Sequence, residues 1–596
     1  MSDAARRSSK PGRLAAGVAA RVQDVVARLA KPPSADPQTV SRGRLRLVIG
    51  VFALIFAVIA GKTAYLAAGA DGSAGRRGTP SDAMSSVRPD ILDRNGEILA
   101  TDVKTASLFA EPRRIIDVDE ALELLSAVLP DLDMAETRER LSSKKGFAWL
   151  RREITAQQQA QIHRLGIPGI GFLRENKRVY PAGAVAGHVL GHVNIDNQGI
   201  AGIERWVDSS GLAFLHQIGL ATDRAQNPVQ LAVDLRVQHA MRDELMQSKT
   251  KFKAKAASGA ILDVNSGEVI AMVSLPDYDP NKPASSKDDA SINRLTTGVY
   301  EMGSTFKALT LAMALDSGKI SLNSTWDARA PLRYGRFSID DFHATRRILS
   351  TPEVFTHSSN IGTARMALAI GVDGHKAFLK KMGQLERLRT ELPESAEPIV
   401  PKRWGELNTV TIAFGHGLSV APMQAAAAVC ALVNGGALIP PTFLKRSAAE
   451  ARKLGVQVIK PETSDKMRYL MRLNAEVGSA TKAEVKGYYV GGKTGTAEKV
   501  INGRYAKNKV MAAFMAILPA DAPKYLVLVM LDEPQGLPET HGFATSGWNA
   551  APTTGKIIAR VAPMLGLEKR EDLPPAEALL KGGPRITAAR SGIGPQ

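Results

Sequence analysis

The feature that most constrains the fold of this chain is a serine and a lysine, one helical turn apart, at the start of an apolar segment. Gly303 precedes Ser304, Lys307 follows three residues later, and the uncharged run continues to Leu315. Residues three apart lie on the same side of a helix, so we expect the hydroxyl and the amine to touch. Ser304 stands where a helix cap is expected, and Gly303 permits a sharp turn into the helix.

The setting of Lys307 predicts that its amine acts as a base. Burial disfavours the charged form, so we expect the pKa of Lys307 to fall until the amine can accept the proton of Ser304. The same Ser-x-x-Lys pattern also occurs at Ser142/Lys145, Ser248/Lys251 and Ser479/Lys482. The first two lie in lysine-rich polar stretches typical of solvated surface, and the third has no apolar helix behind it. For Ser304 alone, a purely structural helix cap is the alternative.

Two further polar motifs follow along the chain. The run Lys493-Thr494-Gly495-Thr496 comes after an apolar, β-rich segment, so we place it on a strand edge. A lysine and two hydroxyls there can dock a carboxylate, and Gly495 removes a side chain that would keep a ligand from the backbone. The run Ser358-Ser359-Asn360 lies between the two other motifs, ahead of a helix-like segment. Because Ser-x-Asn is common by chance, the order of the three motifs is the stronger signal.

In this order the motifs resemble the three signatures of the penicillin-binding protein and serine β-lactamase superfamily. From about residue 45 to about residue 565, the chain is similar to the class B penicillin-binding proteins, which are peptidoglycan D,D-transpeptidases. Further stretches that carry this resemblance are Arg88–Gly96, Arg178–Pro181, Gly199–Glu204, Val233–Gln238 and Tyr300–Ser304. The last of them looks like the division-specific branch, although many relatives carry proline where Met302 stands.

The resemblance also implies roles for the motif residues. Ser304 would be the nucleophile, Lys307 the base, and Ser358 the relay that passes a proton to the departing D-alanine. Asn360 would hold the acyl peptide. The terminal carboxylate of the substrate would bind to Lys493, Thr494, Gly495 and Thr496. Backbone N–H groups of Ser304 and Thr496 would form the oxyanion hole.

Three other residues are weaker candidates. His416 either contacts the substrate or packs within its loop, and Trp548 either lines the cleft or covers it. Cys430, the only cysteine, lies in an apolar helix and is expected to be a core residue rather than a second nucleophile. The histidines show no metal-ligand spacing, so we expect neither a metal nor a cofactor.

Charge and length bear on partners and location. A chain of 596 residues is too long for one core and predicts at least two domains. The net charge of +18 is spread out, aromatic residues make up only 5%, and no nucleic-acid motif is present, so we predict no nucleic-acid partner. A basic cluster does precede the uncharged run Leu47–Ala60. We therefore predict one transmembrane helix over 45–67, with a cytoplasmic N-terminus. A cleaved signal peptide and a buried core helix are the alternatives.

The expected fold class is α+β, in several parts. They are a basic cytoplasmic tail (1–44), the transmembrane helix (45–67), a linker (68–87), a pedestal of the dimerisation type (88–225), a transpeptidase domain (226–570) and a disordered tail (571–596). We expect the many arginines of the pedestal to form a solvated face. Strand patterns at both ends of the transpeptidase domain, with helical patterns between them, predict a five-stranded antiparallel sheet covered by helices on both faces.

The resemblance implies a transpeptidase of septal cell-wall synthesis at the bacterial inner membrane, with a periplasmic catalytic domain. A donor stem peptide ending in D-Ala-D-Ala would acylate Ser304, and an acceptor amine would close the cross-link, while β-lactams would inhibit as trapped esters. A membrane-embedded glycan polymerase and other division proteins are the implied partners. The open alternatives are a lateral-wall transpeptidase, a D,D-carboxypeptidase, a β-lactamase and a non-catalytic division scaffold.

Overall fold

The computed structural model describes residues 50–54, 56–58, 60, 62, 88–209, 227–335, 337–501 and 503–580. Backbone contacts divide the chain into two compact units, Met1–Ala83 and Met84–Gln596. The described residues of the first unit are helical. Across the described ranges, no helix combines the length and the apolar character needed to cross a membrane. The predicted basic tail (1–44) and linker (68–87) lie outside the described residues.

The second unit begins with a small mixed sheet, in the region predicted to be the pedestal. Its strands are β1 (Ile91–Leu92), β2 (Ile98–Ala110), β3 (Ala148–Ile154), β4 (Ile170–Val179) and β5 (Val229–Gln230). Its helices are α1 (Val118–Val128), α2 (Met134–Leu141), α3 (Ala156–Leu165), α4 (Gly187–Leu190) and α5 (Gly202–Ser209). Strand β2 pairs antiparallel with β1, β3 and β4, whereas β1 and β5 are parallel.

Arg88 and Arg178 are buried and depart from the expected solvated arginine face, whereas most other arginines of this region are exposed as expected. Arg178 Nε lies 2.6 Å from one carboxylate oxygen of Glu204, and Arg88 Nε lies 2.9 Å from the other. Asp102 pairs with Arg178 at 3.2 Å, and Asp208 pairs with Arg88 at 2.5 Å. Opposite charges therefore offset the cost of removing both guanidinium groups from water.

The region predicted to be the transpeptidase domain follows with eleven described strands, most of them short. They are β6 (Ala256–Asp263), β7 (Val269–Leu275), β8 (Thr325–Asp327), β9 (Leu332–Tyr334), β10 (Phe337–Ile339), β11 (Ile348–Ser350), β12 (Ala437–Leu438), β13 (Val456–Gln457), β14 (Gly491–Ile501), β15 (Arg504–Leu518) and β16 (Tyr525–Asp532). The main sheet has the order β14-β15-β16-β6-β7 and every pairing in it is antiparallel. The predicted five-stranded sheet, assembled from distant parts of the chain, is confirmed.

Along the sequence, most of the described helices of this region lie between β7 and β14. They are α6 (Leu235–Lys251), α7 (Lys307–Asp316), α8 (Thr351–Thr356), α9 (Asn360–Ile370), α10 (Val372–Lys381), α11 (Glu406–Ala413), α12 (Pro422–Val433), α13 (Ala448–Leu454), α14 (Pro461–Val477) and α15 (Ala550–Met564). Neighbouring strand residues point to opposite faces. Ile261 and Val529 pack with α6 and α15, whereas Leu262 and Leu528 pack with α7, α12 and α14. Helices cover both faces, as predicted, and β14 is an edge strand.

Two predictions about surface and tail need correction. Ser248, expected on a solvated surface, is buried in α6, and its hydroxyl lies 2.8 Å from that of Thr553 in α15. Ser142 and Lys145 are exposed, as predicted. Ala576–Leu579, within the predicted disordered tail, forms a 3-10 turn whose Ala576 is buried in the main core. An apolar residue there finds a partner in the folded domain, which composition alone does not reveal. Residues 581–596 lie outside the described residues.

Candidate active site

Ser304 lies in a single 3-10 turn, Gly303–Phe306, that leads directly into α7. Gly303 has a φ of +52°, so the predicted sharp turn is present. The helix ends at Asp316, close to the predicted end. No side chain caps either the turn or α7, so Ser304 is not a helix cap. The extra turn moves Ser304 past the capping position and leaves its hydroxyl uncommitted to the helix start.

The Gly303–Phe306 turn carries the predicted nucleophile, and the backbones of this nucleophile turn and of strand β14 are in direct contact. A Cβ atom on Gly303 would lie 2.8 Å from the carbonyl oxygen of Thr496, and one on Gly495 would lie 2.7 Å from that of Met302. Glycine at both positions thus permits the two segments to pack closely. Close packing is thus one reason for glycine at position 495, and the approach of a ligand to its backbone stays a prediction. The close packing also sets the backbones of Ser304 and Thr496 side by side.

Lys307 is completely buried at the base of the site. Its amine donates to the carbonyl oxygen and the hydroxyl of Ser358, the latter at 3.1 Å, and to Asn360 Oδ1 at 2.8 Å. Burial lowers the pKa of Lys307 to about 7, and the nearby charge of Asp341 partly opposes that shift. The amine is directed at the Ser-x-Asn motif. Within the described residues no hydrogen bond joins it to Ser304, so the expected contact is not formed here.

The Ser358 hydroxyl connects the two buried lysines. Its Oγ accepts a hydrogen bond from Lys493 Nζ at 2.9 Å, and the same amine lies 3.3 Å from the carbonyl oxygen of Thr494. Burial lowers the pKa of Lys493 well below its ordinary value, and the charge of Lys307 lowers it further. Ser358 has a φ of +54°, a left-handed conformation that costs a non-glycine residue roughly 1 kcal/mol. Its surroundings must therefore hold it in place.

Asp341 provides that support, and sequence reasoning missed it. Its carboxylate accepts hydrogen bonds from Ser359 Oγ at 2.7 Å and from the Ile361 backbone N–H at 2.9 Å. The Asn360 side chain is also fixed, because its Nδ2 donates to the Asp340 carbonyl oxygen at 2.9 Å. An acidic pair some twenty positions before the motif was the only available signal, and it has no characteristic spacing.

Thr494 and Thr496 lie on the opposite face of β14 from Lys493, because side chains alternate along a strand. The Thr494 hydroxyl is 2.6 Å from Ser479 Oγ, and Thr496 Oγ1 accepts a hydrogen bond from the Ser546 backbone N–H at 3.1 Å. A carboxylate that contacts both threonines must therefore bind along the free edge of β14. Ser479 and Ser546 were not predicted to belong to this site.

His416 lies beside the nucleophile turn. The Gly303 N–H donates to the carbonyl oxygen of Gly415 at 3.1 Å, and the His416 ring packs 5.7 Å from that of Tyr505. Burial lowers the pKa of His416 to about 4, and the charge of Lys307 adds to the shift. The imidazole is therefore neutral at neutral pH, and its contacts are those of a packed loop residue.

The other two weaker candidates differ in position. Trp548 lies beneath the ammonium group of Lys482, two residues after Ser546, and so is next to the threonine face of β14. Cys430 is buried in the core within α12, as predicted, and burial raises the pKa of its thiol.

Family models and individual relatives both relate this chain to penicillin-binding proteins. The family model described as the penicillin binding protein transpeptidase domain matches residues 257–559, and that of the penicillin-binding protein dimerisation domain matches residues 83–207. The chain is 37% identical to the probable peptidoglycan D,D-transpeptidase FtsI of Caulobacter vibrioides over 572 residues, 94% of each chain. It is 31% identical to the probable peptidoglycan D,D-transpeptidase PenA of Neisseria gonorrhoeae over 563 residues, 90% of this chain and 95% of that one. It is 29% identical to the peptidoglycan D,D-transpeptidase FtsI of Escherichia coli over 557 residues, 88% of this chain and 92% of that one.

Proposed function

The chain belongs to the class B penicillin-binding proteins of the division type, and from this premise we propose how its own residues act. It is a penicillin-sensitive peptidoglycan D,D-transpeptidase that cross-links stem peptides through a serine acyl-enzyme. The assignment of roles depends on one observation. Ser358 Oγ lies 3.1 Å from Lys307 Nζ and 2.9 Å from Lys493 Nζ, so one hydroxyl joins the three motifs.

In the first half-reaction, the terminal carboxylate of a D-Ala-D-Ala stem peptide binds at the edge of β14. Lys307, as the neutral amine, takes the proton of Ser304, whose Oγ attacks the penultimate carbonyl carbon. The N–H groups of Ser304 and Thr496 stabilise the resulting oxyanion. The C–N bond to the terminal D-alanine then breaks, and the proton passes from Lys307 through Ser358 to the leaving amine.

In the second half-reaction, the amine of another stem peptide attacks the ester on Ser304. A new amide bond forms, the ester C–O bond breaks, and the proton released by the amine returns through Lys307 to Ser304. Asn360 positions the acyl peptide during both halves. A β-lactam follows only the first half, because opening its ring leaves an ester on Ser304 that is released slowly.

The location of the enzyme is part of the proposal. The basic cluster followed by an uncharged run supports an anchor helix over 45–67, with a cytoplasmic N-terminus and a periplasmic catalytic domain at the inner membrane. The anchor is the expected contact for a membrane-embedded glycan polymerase at the division site. Deleting residues 1–67 should release the enzyme into the soluble fraction and abolish co-purification of the polymerase.

The catalytic assignment is tested by intact mass spectrometry after incubation with benzylpenicillin. The wild type should gain one penicilloyl group, and peptide mapping should place it on Ser304. Ser304→Ala should gain none, whereas Ser142→Ala, which alters the exposed serine of another Ser-x-x-Lys, should behave as wild type. An adduct on another residue would refute the assignment. With stem peptides and an amine acceptor, cross-linked product is expected. Release of D-alanine without cross-links would instead assign a carboxypeptidase.

A further inference from the structure

The threonine face of β14 is supported by two separate segments. Ser479 holds the Thr494 hydroxyl at 2.6 Å, and the backbone N–H of Ser546 holds the Thr496 hydroxyl at 3.1 Å. Both supporting contacts lie on the face opposite the Lys493 side chain. The two hydroxyls expected to receive the substrate carboxylate are thus held on a side of the strand that the Lys493 amine does not share.

Lys493 is also committed elsewhere. Its side chain is about 1% exposed, and its amine is bonded to Ser358 Oγ and to the carbonyl oxygen of Thr494. Burial further disfavours a positive charge on this amine, because its pKa is lowered. A buried amine that already has these partners is poorly suited to be the main counter-charge for a carboxylate arriving at the strand edge.

A second lysine lies on the threonine side. The Thr481 N–H donates to the carbonyl oxygen of Gly478 and the Glu484 N–H to that of Thr481, and Thr481–Ala483 is a 3-10 turn. Lys482 lies in this turn, three residues after Ser479. Because Ser479 contacts Thr494, the turn that carries Lys482 directly follows the residue that supports the threonine face.

Trp548 fixes the position of the Lys482 ammonium group. The ammonium lies over the indole ring, and Trp548 belongs to the tight turn that contains Ser546, because its N–H donates to the carbonyl oxygen of Thr545. The cation–π contact thus joins the two segments that hold the two threonines. In the described part of the chain no carboxylate pairs with Lys482, and the pKa of its amine is lowered by burial alone.

We propose that Lys482 is a substrate-binding residue that supplies the positive charge for the terminal carboxylate of the donor stem peptide, together with Thr494 and Thr496. The inference rests on the proposed function and adds a recognition residue to the same site. It assigns Lys493 chiefly to organising Ser358 and the proton relay. The carboxylate of a penicillin occupies the place of the peptide carboxylate, so its binding should also require the positive charge of Lys482.

The test compares acylation of Ser304 by benzylpenicillin and by its methyl ester, which lacks the negative charge. Second-order acylation rates are measured on the full-length protein in detergent. Lys482→Gln should lower the rate with benzylpenicillin about ten-fold, the effect of losing one charged hydrogen bond, and leave the rate with the ester unchanged. Lys482→Arg should retain most of the wild-type rate. Lys486→Gln is the matched control, an exposed lysine four positions further along, and should change neither rate.

An equal loss with both compounds would make Lys482 merely structural, and unchanged rates with both would leave the carboxylate to Lys493 and the threonines. Either result overturns the inference while the proposed function stands. Absence of any adduct on wild-type Ser304 would instead overturn the proposed function. Should Lys482→Gln unfold, Lys482→Met, which can still cover the Trp548 ring, permits the same comparison.

Discussion

The pedestal and the active site both bury basic side chains, but only those of the pedestal are bonded to carboxylates. In the pedestal, Arg178 and Glu204 are both 0% exposed and lie 2.6 Å apart. Burial alone would lower the pKa of Arg178, but the charge and the hydrogen bond of Glu204, together with the charge of Asp102, outweigh it and the pKa is raised. In the active site, Lys307 and Lys493 share a neutral hydroxyl rather than a carboxylate, and burial lowers the pKa of both.

The difference separates charges that hold a structure together from groups kept ready for chemistry. A guanidinium with a bonded carboxylate is locked in its charged form, so it supports the fold and cannot accept a proton. An amine buried without a bonded carboxylate is destabilised as a cation, so near neutral pH it can exist as a base. The comparison predicts that mutations in the two regions will have opposite effects on stability.

Lys307→Met gives the largest expected effect. Without the base, acylation of Ser304 by benzylpenicillin should slow by about 10³-fold, which is typical for loss of general base catalysis. The free energy of unfolding at neutral pH should rise by about 2 kcal/mol, because a buried amine without a bonded carboxylate is replaced by an apolar chain of similar volume. Acylation kinetics and chemical denaturation measure the two quantities.

Lys319→Met, which changes an exposed lysine just after α7, is the control for Lys307→Met and should alter neither property. A Lys307→Met protein that is clearly less stable than the wild type would contradict the comparison. It would mean that Lys307, like the pedestal arginines, contributes to the fold.

Glu204→Gln should have the opposite effect on stability. The substitution preserves shape but leaves Arg88 and Arg178 short of negative charge, so the free energy of unfolding should fall by about 3 kcal/mol. Chemical denaturation measures the loss. Glu139→Gln, on the exposed face of α2, should be neutral. Folded Glu204→Gln protein should still be acylated at Ser304. A stability equal to that of the wild type would show that the pedestal charges are not mutually supporting.

Much of the catalytic region could be predicted from sequence because its signals are local. A glycine, a serine and a lysine before an apolar helix identified the nucleophile turn, and strand patterns at both ends of the domain identified strands of the main sheet. The resemblance of the three ordered motifs to a known family then predicted which remote segments would meet. The structure places Ser358 Oγ within hydrogen-bond distance of both Lys307 and Lys493.

The features that escaped prediction depend on contacts between distant residues. Asp341 carries no motif, Ser479 belongs to a Ser-x-x-Lys pattern that was set aside because no apolar helix follows it, and both reach the site only after folding. Arg88 and Arg178 were expected to be solvated because arginine usually is, and their burial depends on Glu204 in another element. The 3-10 turn at Ser304 packs its backbone against β14, a contact that composition does not reveal.

The smallest expected effect concerns pH and sharpens the comparison at Lys307 itself. Because the pKa of Lys307 is about 7, the fraction of neutral amine should grow about ten-fold per pH unit below that value and then level off. Acylation by benzylpenicillin should follow the same curve, with half of its maximum near pH 7. Rates measured between pH 5.5 and about 8.5 test this, and a flat profile would exclude Lys307 as the base.

The free energy of unfolding should also vary with pH as Lys307 titrates, and the lowered pKa of Lys307 sets the direction of that change. The folded pKa of Lys307 lies below its ordinary value of 10.5, so between about 7 and 10.5 the unfolded chain binds the extra proton. The cost of burying Lys307 is therefore complete below pH 7 and disappears as the pH approaches 10.5. The stabilisation produced by Lys307→Met should shrink over that interval, whereas the loss produced by Glu204→Gln should stay nearly constant, because the paired guanidinium groups do not titrate there. If the stability difference between Lys307→Met and the wild type did not vary with pH, the pKa of Lys307 would be the same in the folded and unfolded chains, and the prediction would be wrong.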